Sequence, residues 1–385
     1  MKVKIHKLFE YLLETTASEP EAALGFSLST LPKLGEFLSE LDPNFPLDWS
    51  NQSFQGLTAL REQVIARANL TGLCTADDVL ITAGTAEANF LAIMQLVQPG
   101  DEIIAETPGW PQPFVLAEAI GATIKPLRRR EAQQWRFDMD ELASLITDRT
   151  RLIFLCNPNN PTGQILEESE LHEIARLAER VGAYVLCDEV YAGLEWDSER
   201  VSSIAGLYER GITTGSVSKA LGLQGLRTGW LICRDADLLF DAVILRENSS
   251  EIMNVMGELI AEIALRPDRY ETAIAQARRE GQYNLKILDA FIEARPELSW
   301  QRPRAGLIGL CGLHTDYDGE TLARQLLEPP YRTFVLPGSA YDCPQHIRLG
   351  VGGGESAGLE LGLARLAQFF DDRTFAAPQA GGLGG

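Results

Sequence analysis

The chain has 385 residues, 45% apolar and 23% charged, a balance that belongs to an ordinary globular protein and excludes a disordered chain. Its 34 Lys and Arg residues stand against 54 Asp and Glu, a formal net charge of -20. With no counterion-releasing basic surface to offer, a general nucleic-acid or anionic-membrane binder is excluded, so neither partner is expected.

The N-terminal stretch from Met1 to Leu24 alternates basic and apolar residues and then turns acidic, unlike the unbroken apolar run of a secretory signal. No later run reaches the ~18 apolar residues of a bilayer span. The expected location is the cytoplasm. Further along, Val79-Leu80-Ile81-Thr82 predicts a strand that leads through Ala83-Gly84-Thr85 into a helix with Phe90, Leu91, Met94 and Val97 on its apolar stripe. Leu152 to Leu155 and Ala183 to Cys187 read as fully buried strands, and Ile212 to Val217 and Trp230 to Cys233 add two more. Strands alternating with helices predict an α/β fold around a mostly parallel, mixed sheet. From Ala236 to Glu297 the pattern is nearly all helical, broken at Arg266-Pro267-Asp268. Strand-like runs at Gly306–Gly312 and Arg348–Val351 and a last helix near Leu359–Phe370 follow. These predict a large domain over 46–245 and a smaller α+β domain built from 1–45 and 246–376. Residues 377–385 have the composition of a disordered tail.

Six cysteines stand far apart without a CxxC pair and read as free, buried thiols. Four histidines show no HxxxH or HxH spacing, so no metal is expected. His172 falls on the polar side of a helical run and is expected to face solvent.

In open α/β sheets ligands bind beyond the carboxyl ends of the strands. Gly84, Thr85 and Ala86 follow the first strand. The run Asn157-Pro-Asn-Asn160-Pro161-Thr162-Gly163 follows the second. The third ends in Asp188-Glu189-Val190-Tyr191, and the fourth leads to Ser216-Val217-Ser218-Lys219, with Arg227 eight residues beyond the lysine. A small-residue turn opening a helix presents N–H groups to a phosphate, and Ser216 and Arg227 add two donors for the same dianion. Asp188, emerging from an apolar strand, suits a buried cation. Lys219 can form an imine once its amine is neutral. A phosphate, a ring cation, a phenolic oxygen and an aldehyde together describe pyridoxal 5'-phosphate.

NPxNPTG, DEVY and SxSK with Arg at plus eight, in this order, resemble the class I and II aminotransferases of fold type I over roughly residues 50–235. Within them the chain is similar to the branch that holds aspartate-type aminotransferases and capreomycidine synthase. The resemblance implies that Lys219 forms the Schiff base and shuttles the substrate proton. It further implies that Asp188 bonds the pyridinium nitrogen, that Tyr191 and Asn160 bond the phenolic oxygen, and that Trp110 stacks on the ring. Gly84, Thr85, Ala86, Ser216 and Arg227 would cradle the phosphate. Arg348, in His346-Ile-Arg-Leu-Gly350, would grip the substrate carboxylate with Asn160 beside it. A homodimer acting on an amino acid and a 2-oxo acid is implied, with Lys219, Asp188 and Tyr191 as the catalytic set. The same motifs fit an eliminase or cyclase acting on an amino acid.

The sequence departs from the family pattern in two places. Asn51 stands where many relatives carry a tyrosine that reaches the phosphate across the dimer interface. The substrate-covering glycine loop is not plainly recoverable in Leu24–Pro32. That loop and Arg246–Asn254 are expected to set side-chain specificity.

Overall fold

The computed structural model describes residues 2–15, 18–48, 53–352 and 356–376. Asn51 and the tail 377–385 lie outside the described residues. The chain opens with helix α1 (Lys7–Thr15) and the two-residue strand β1 (Ala22–Ala23). Next come α2 (Thr58–Arg67), β2 (Val79–Thr82), α3 (Thr85–Leu96), β3 (Glu102–Thr107), α4 (Gln112–Ile120) and β4 (Thr123–Arg128). The alternation continues with α5 (Met139–Leu145), β5 (Thr150–Cys156), α6 (Glu168–Glu179), β6 (Tyr184–Asp188), α7 (Ile204–Leu207), β7 (Gly211–Ser216) and β8 (Gly229–Cys233). Helices α8 (Ala236–Glu247), α9 (Val255–Leu265) and α10 (Pro267–Glu293) lead to β9 (Leu298–Trp300) and β10 (Ile308–Leu313). The chain ends in α11 (Gly319–Leu327), β11 (Thr333–Phe334), β12 (Leu336–Pro337), β13 (His346–Gly350) and α12 (Ser356–Ala376).

Seven strands form the large sheet in the order β2-β8-β7-β6-β5-β3-β4. β8 runs antiparallel to β2 and β7, and the remaining pairs are parallel, so the sheet is the mixed one expected. Apart from the edge strand β4, its strands are largely buried on both faces. Phe154 packs with Leu91, Leu186 and Leu231 on one face, while Ile153 and Leu155 pack with Leu171, Ile174 and Val185 on the other, the period-two alternation of a covered sheet. Each such side chain stabilises the fold by about 1.5–3 kcal/mol through burial.

Two strands of this sheet, β3 and β4, are absent from the sequence reading. β3 carries Glu102 and Glu106, which look like surface residues, yet both are about 1% exposed. Lys125, Arg149 and Thr147 meet Glu102, while Arg129 meets Glu106. β4 holds Pro126, which is tolerated because β4 is the edge of the sheet.

The smaller sheet has the order β12-β13-β10-β9, all antiparallel, with Arg348 paired to Leu310 on one side and Leu336 on the other. The N-terminal segment joins this part of the molecule: β1 pairs with β11, and Gly350 N donates to Leu24 O at 2.5 Å. His172 is exposed, and the six cysteines are free, five of them buried.

Candidate active site

The register of the large sheet decides which side chains meet. Cys156 pairs with Asp188 and Asp188 with Thr214, so three strand ends stand in a row. On the far side of that row, Gly229 pairs with both Ser216 and Thr82. There a Cβ on Gly229 would meet Gly84 C at 2.6 Å and Gly215 O at 2.7 Å. The position must be glycine for the β2 turn to close over it. Gly84 caps α3 at φ 81°, where its own Cβ would come within 2.6 Å of Arg227 Nη2. The missing side chain leaves room for the guanidinium beside the α3 N-terminus. Arg227 donates to Ala83 O at 3.2 Å and to Gln224 O at 3.3 Å.

A cavity of about 430 Å³ lies over these strand ends. Thr85, Ala86, Trp110, Asn160, Asp188, Tyr191, Ser216, Lys219, Arg227 and Arg348 all line it, brought together from both sheets. Gly84 lies just behind the wall, under Arg227. None of the stretch 246–254 lines it. Arg246 is instead fully buried and donates to Ile81 O and Phe54 O, tying α8 to the main chain of β2. In this chain it is a strut rather than a substrate contact. The Leu24–Pro32 expectation fares differently, since Gly25, Phe26, Ser27 and Leu28 form part of the wall.

Asp188 is buried, and its Oδ2 accepts from Asn89 Nδ2 at 2.9 Å while Oδ1 accepts from Val190 N at 3.2 Å. Burial pushes its carboxyl up to about 6 against the pull of the Asn89 bond. Lys219 Nζ donates to Ser27 Oγ at 3.2 Å. Burial, then the positive charge of Arg348, lowers its amine to about 8, with Asp188 pulling the other way. Tyr191 is buried, which raises its phenol above the ordinary range. Arg348 Nη1 donates to Tyr341 Oη at 2.6 Å and Asn160 Oδ1 at 3.3 Å, and Nη2 donates to Gly25 O at 2.7 Å.

Several of these groups carry no sequence motif. Asn89 holds Asp188 and accepts from Thr214 Oγ1 at 2.8 Å, and its second amide contact, to Gln112 Oε1 at 3.4 Å, reaches an oxygen that also receives Trp110 Nε1 at 3.2 Å. The one signal for Asn89 is an amide on the buried side of α3, four residues after Thr85, where an unpartnered polar group would be costly. Ser27 lies far along the chain from the motifs, and Tyr341, seven residues before Arg348, belongs to none of them, so neither leaves such a trace.

Three buried polar atoms on this wall lack a hydrogen-bond partner, the donors Thr85 Oγ1 and Arg348 Nε and the acceptor Gln224 Oε1. The first sits at the α3 N-terminus among the phosphate donors, and the second belongs to the guanidinium beside Asn160. An anionic ester at one end and a carboxylate at the other match the two unsatisfied donors, and a ring cation would supply the countercharge that the buried Asp188 carboxylate lacks. The donor set therefore fits pyridoxal 5'-phosphate. Among the described residues no cluster of His, Cys, Asp or Glu is arranged to hold a metal, and no helix is long and apolar enough to cross a membrane.

The family model for aminotransferase class I and II matches residues 50–366. An aspartate aminotransferase of Musicola paradisiaca is 30% identical, covering 71% of this chain and 68% of that protein. A capreomycidine synthase of Streptomyces vinaceus is 28% identical over 75% and 74%. A PLP-dependent aminotransferase structure from Streptococcus suis superposes with TM-score 0.88 at 28% identity, covering 97% and 99% of the two chains. With the fold, the lysine cavity and the family match in agreement, the chain belongs to the class I and II aminotransferases of fold type I, whose cofactor is pyridoxal 5'-phosphate.

Proposed function

We propose that this protein moves an amino group between an amino acid and a 2-oxo acid, with Lys219 as covalent anchor and proton carrier. Pyridoxal 5'-phosphate, when bound, supplies an aldehyde and a protonated ring able to accept electrons from the substrate Cα. Thr85, Ala86, Ser216 and Arg227 would hold its phosphate at the α3 N-terminus. Asp188 would keep the ring nitrogen protonated, Trp110 would cover the ring, and Tyr191 and the Asn160 amide would donate to the phenolic oxygen. Arg348 would orient the substrate carboxylate. With its amine lowered to about 8, Lys219 is roughly one-tenth neutral at pH 7, against about three parts in ten thousand for an ordinary lysine. That neutral amine can attack a carbonyl and, once free again, take the proton from Cα.

The observation that carries this reading is one cavity holding Lys219, Asp188 and Arg348 together. Lys219→Ala, reconstituted with the cofactor, is expected to lack both the visible band of a lysine-linked cofactor and conversion to the pyridoxamine form. Retention of both overturns the assignment of Lys219.

Likeness to a capreomycidine synthase favours a second reading, elimination or cyclisation, in which the same proton removal expels a leaving group from the substrate. An amino-acid panel separates them. Stoichiometric pyridoxamine formation supports transfer; ammonia or a cyclic product without it supports the second. The proposal extends to a cytoplasmic homodimer and to the division into residues 46–245 and residues 1–45 with 246–376.

A further inference from the structure

Resting on that reading of Lys219 as proton carrier, we propose that Ser27 is a further catalytic residue, whose hydroxyl holds the free Lys219 amine in place for the transfer. Ser27 comes from the N-terminal segment, is 5% exposed, and lines the same cavity. Its hydroxyl donates to the Tyr191 oxygen, a bond that works with Arg348 against the upward push of burial on that phenol. With its own proton so engaged, Oγ is left to accept from Lys219 Nζ at 3.2 Å. The hydroxyl therefore touches the reacting atom, and every contact in the set is made within one chain.

The segment carrying Ser27 is pinned on both sides of it. Gly350 N donates to Leu24 O at 2.5 Å and Arg348 Nη2 to Gly25 O at 2.7 Å, fixing the segment to β13. Two residues beyond Ser27, Ser29 Oγ donates to Ala220 O at 2.8 Å and to Lys219 O at 3.1 Å. Ser27 and Ser29 are buried while Phe26 and Thr30 are exposed, the alternation of an extended chain. Ser29 thus grips the main chain of the lysine turn, and Ser27 grips its amine.

A neutral amine has two hydrogens and one lone pair. Committing one hydrogen to Ser27 restricts rotation about the Cε–Nζ bond and turns the lone pair away from the hydroxyl. That lone pair takes up the proton leaving the substrate Cα, and the electron pair left behind passes to the ring. The ammonium so formed keeps its bond to Ser27, now charge-assisted and stronger. Losing the hydroxyl therefore has two opposed effects: the amine becomes neutral at lower pH, yet it accepts the proton more slowly. A serine with only a structural duty produces neither.

The test compares Ser27→Ala, which lacks the hydroxyl, and Ser27→Thr, which keeps it, with the parent protein. Ser27→Gly repeats the measurements should the alanine variant not fold. The first measurement needs pyridoxal 5'-phosphate alone: the rate at which the visible band grows on mixing is followed against pH. The cofactor's own titration and the charges of Arg348, Asp188 and Arg227 around the amine are common to all variants, so a difference in midpoint reports on Lys219. Ser27→Ala is expected to keep the band and lower that midpoint by about 0.5–1 pH unit, with Ser27→Thr at the parent value. The second measurement is a single turnover with whichever panel amino acid the parent converts fastest. Ser27→Ala is expected to form pyridoxamine roughly tenfold more slowly, with a larger isotope effect from deuterium at Cα, and Ser27→Thr to recover most of the rate. A midpoint that stays or rises, a turnover rate within about twofold of the parent, or a band lost with the hydroxyl overturns the proposal. If no panel amino acid yields pyridoxamine from the parent, the aminotransferase reading falls, and the midpoint alone decides whether Ser27 holds the amine.

Discussion

Lys219 is held where burial and the guanidinium of Arg348 both favour the uncharged amine. The unfolded chain has no such bias, so between about pH 8 and 10.5 it binds more protons at this position than the folded chain does. Stability of the cofactor-free protein therefore rises with pH across that window, and the full penalty applies below pH 8. Lys219→Met is expected to stabilise the cofactor-free protein by about 1–3 kcal/mol at pH 7, the gain vanishing above pH 10.5. Urea unfolding at the two pH values measures it, and a less stable variant at pH 7 contradicts the argument. At this scale the sequence was informative wherever a strand end bore a polar residue. Lys219, Asp188, Ser216 and Arg227 could be read because turn, spacing and chemistry agreed. Ser27 and Asn89 could not, because their partners lie 192 and 99 residues away, and Tyr341, only seven residues from Arg348, belongs to no motif.

Among the elements, the loop after β5 shows how a rigid site is built. Glu106 of β3 accepts from Cys156 N at 2.6 Å and Asn159 Nδ2 at 2.8 Å through one oxygen. Its other oxygen accepts from Arg129 Nε at 2.7 Å, with both side chains about 1% exposed. Asn159 Oδ1 in turn accepts from Thr162 Oγ1 at 2.6 Å, and Asn157 Oδ1 accepts from Leu166 N at 2.9 Å. Asn157 and Asn159 are thus scaffold, while Pro158 and Asn160 of the run line the cavity. Arg129→Ala leaves Glu106 buried and uncompensated. A loss of about 3–5 kcal/mol is expected in chemical denaturation, and a loss below 1 kcal/mol would show that the pair is dispensable. The same two glutamates explain why β3 was not legible. A charge inside a strand reads as surface until its buried partner is known, and those partners sit on β4 and in the segments flanking it and β5.

For the whole molecule, the alternation of strands and helices over residues 75–235 was enough to give an α/β fold with a mixed sheet. The placement of the N-terminal segment was clear only in outline, because two-residue β1 and its pairing with β11 have no periodicity to read. The homodimer expectation is the prediction that belongs here. Phe240 and Ile244, one turn apart on α8, are 65% and 48% exposed, a costly arrangement for an isolated chain of this charge. Light scattering is expected to give twice the 42.4 kDa of one chain. A fully active species of single-chain mass would remove the dimer from the proposal.

The cavity wall is assembled from stretches of chain with separate duties. Bond-making groups come from the strand ends between Thr85 and Arg227, whereas the greasy lining comes from Leu8 to Leu28 and from Phe334 and Leu336. Preference can therefore drift while reactivity stays fixed. Exchanging Leu8 and Leu12 of α1 would retune which metabolite is accepted, while Gly25 and Ser27, further along the same segment, keep Arg348 and Lys219 in place.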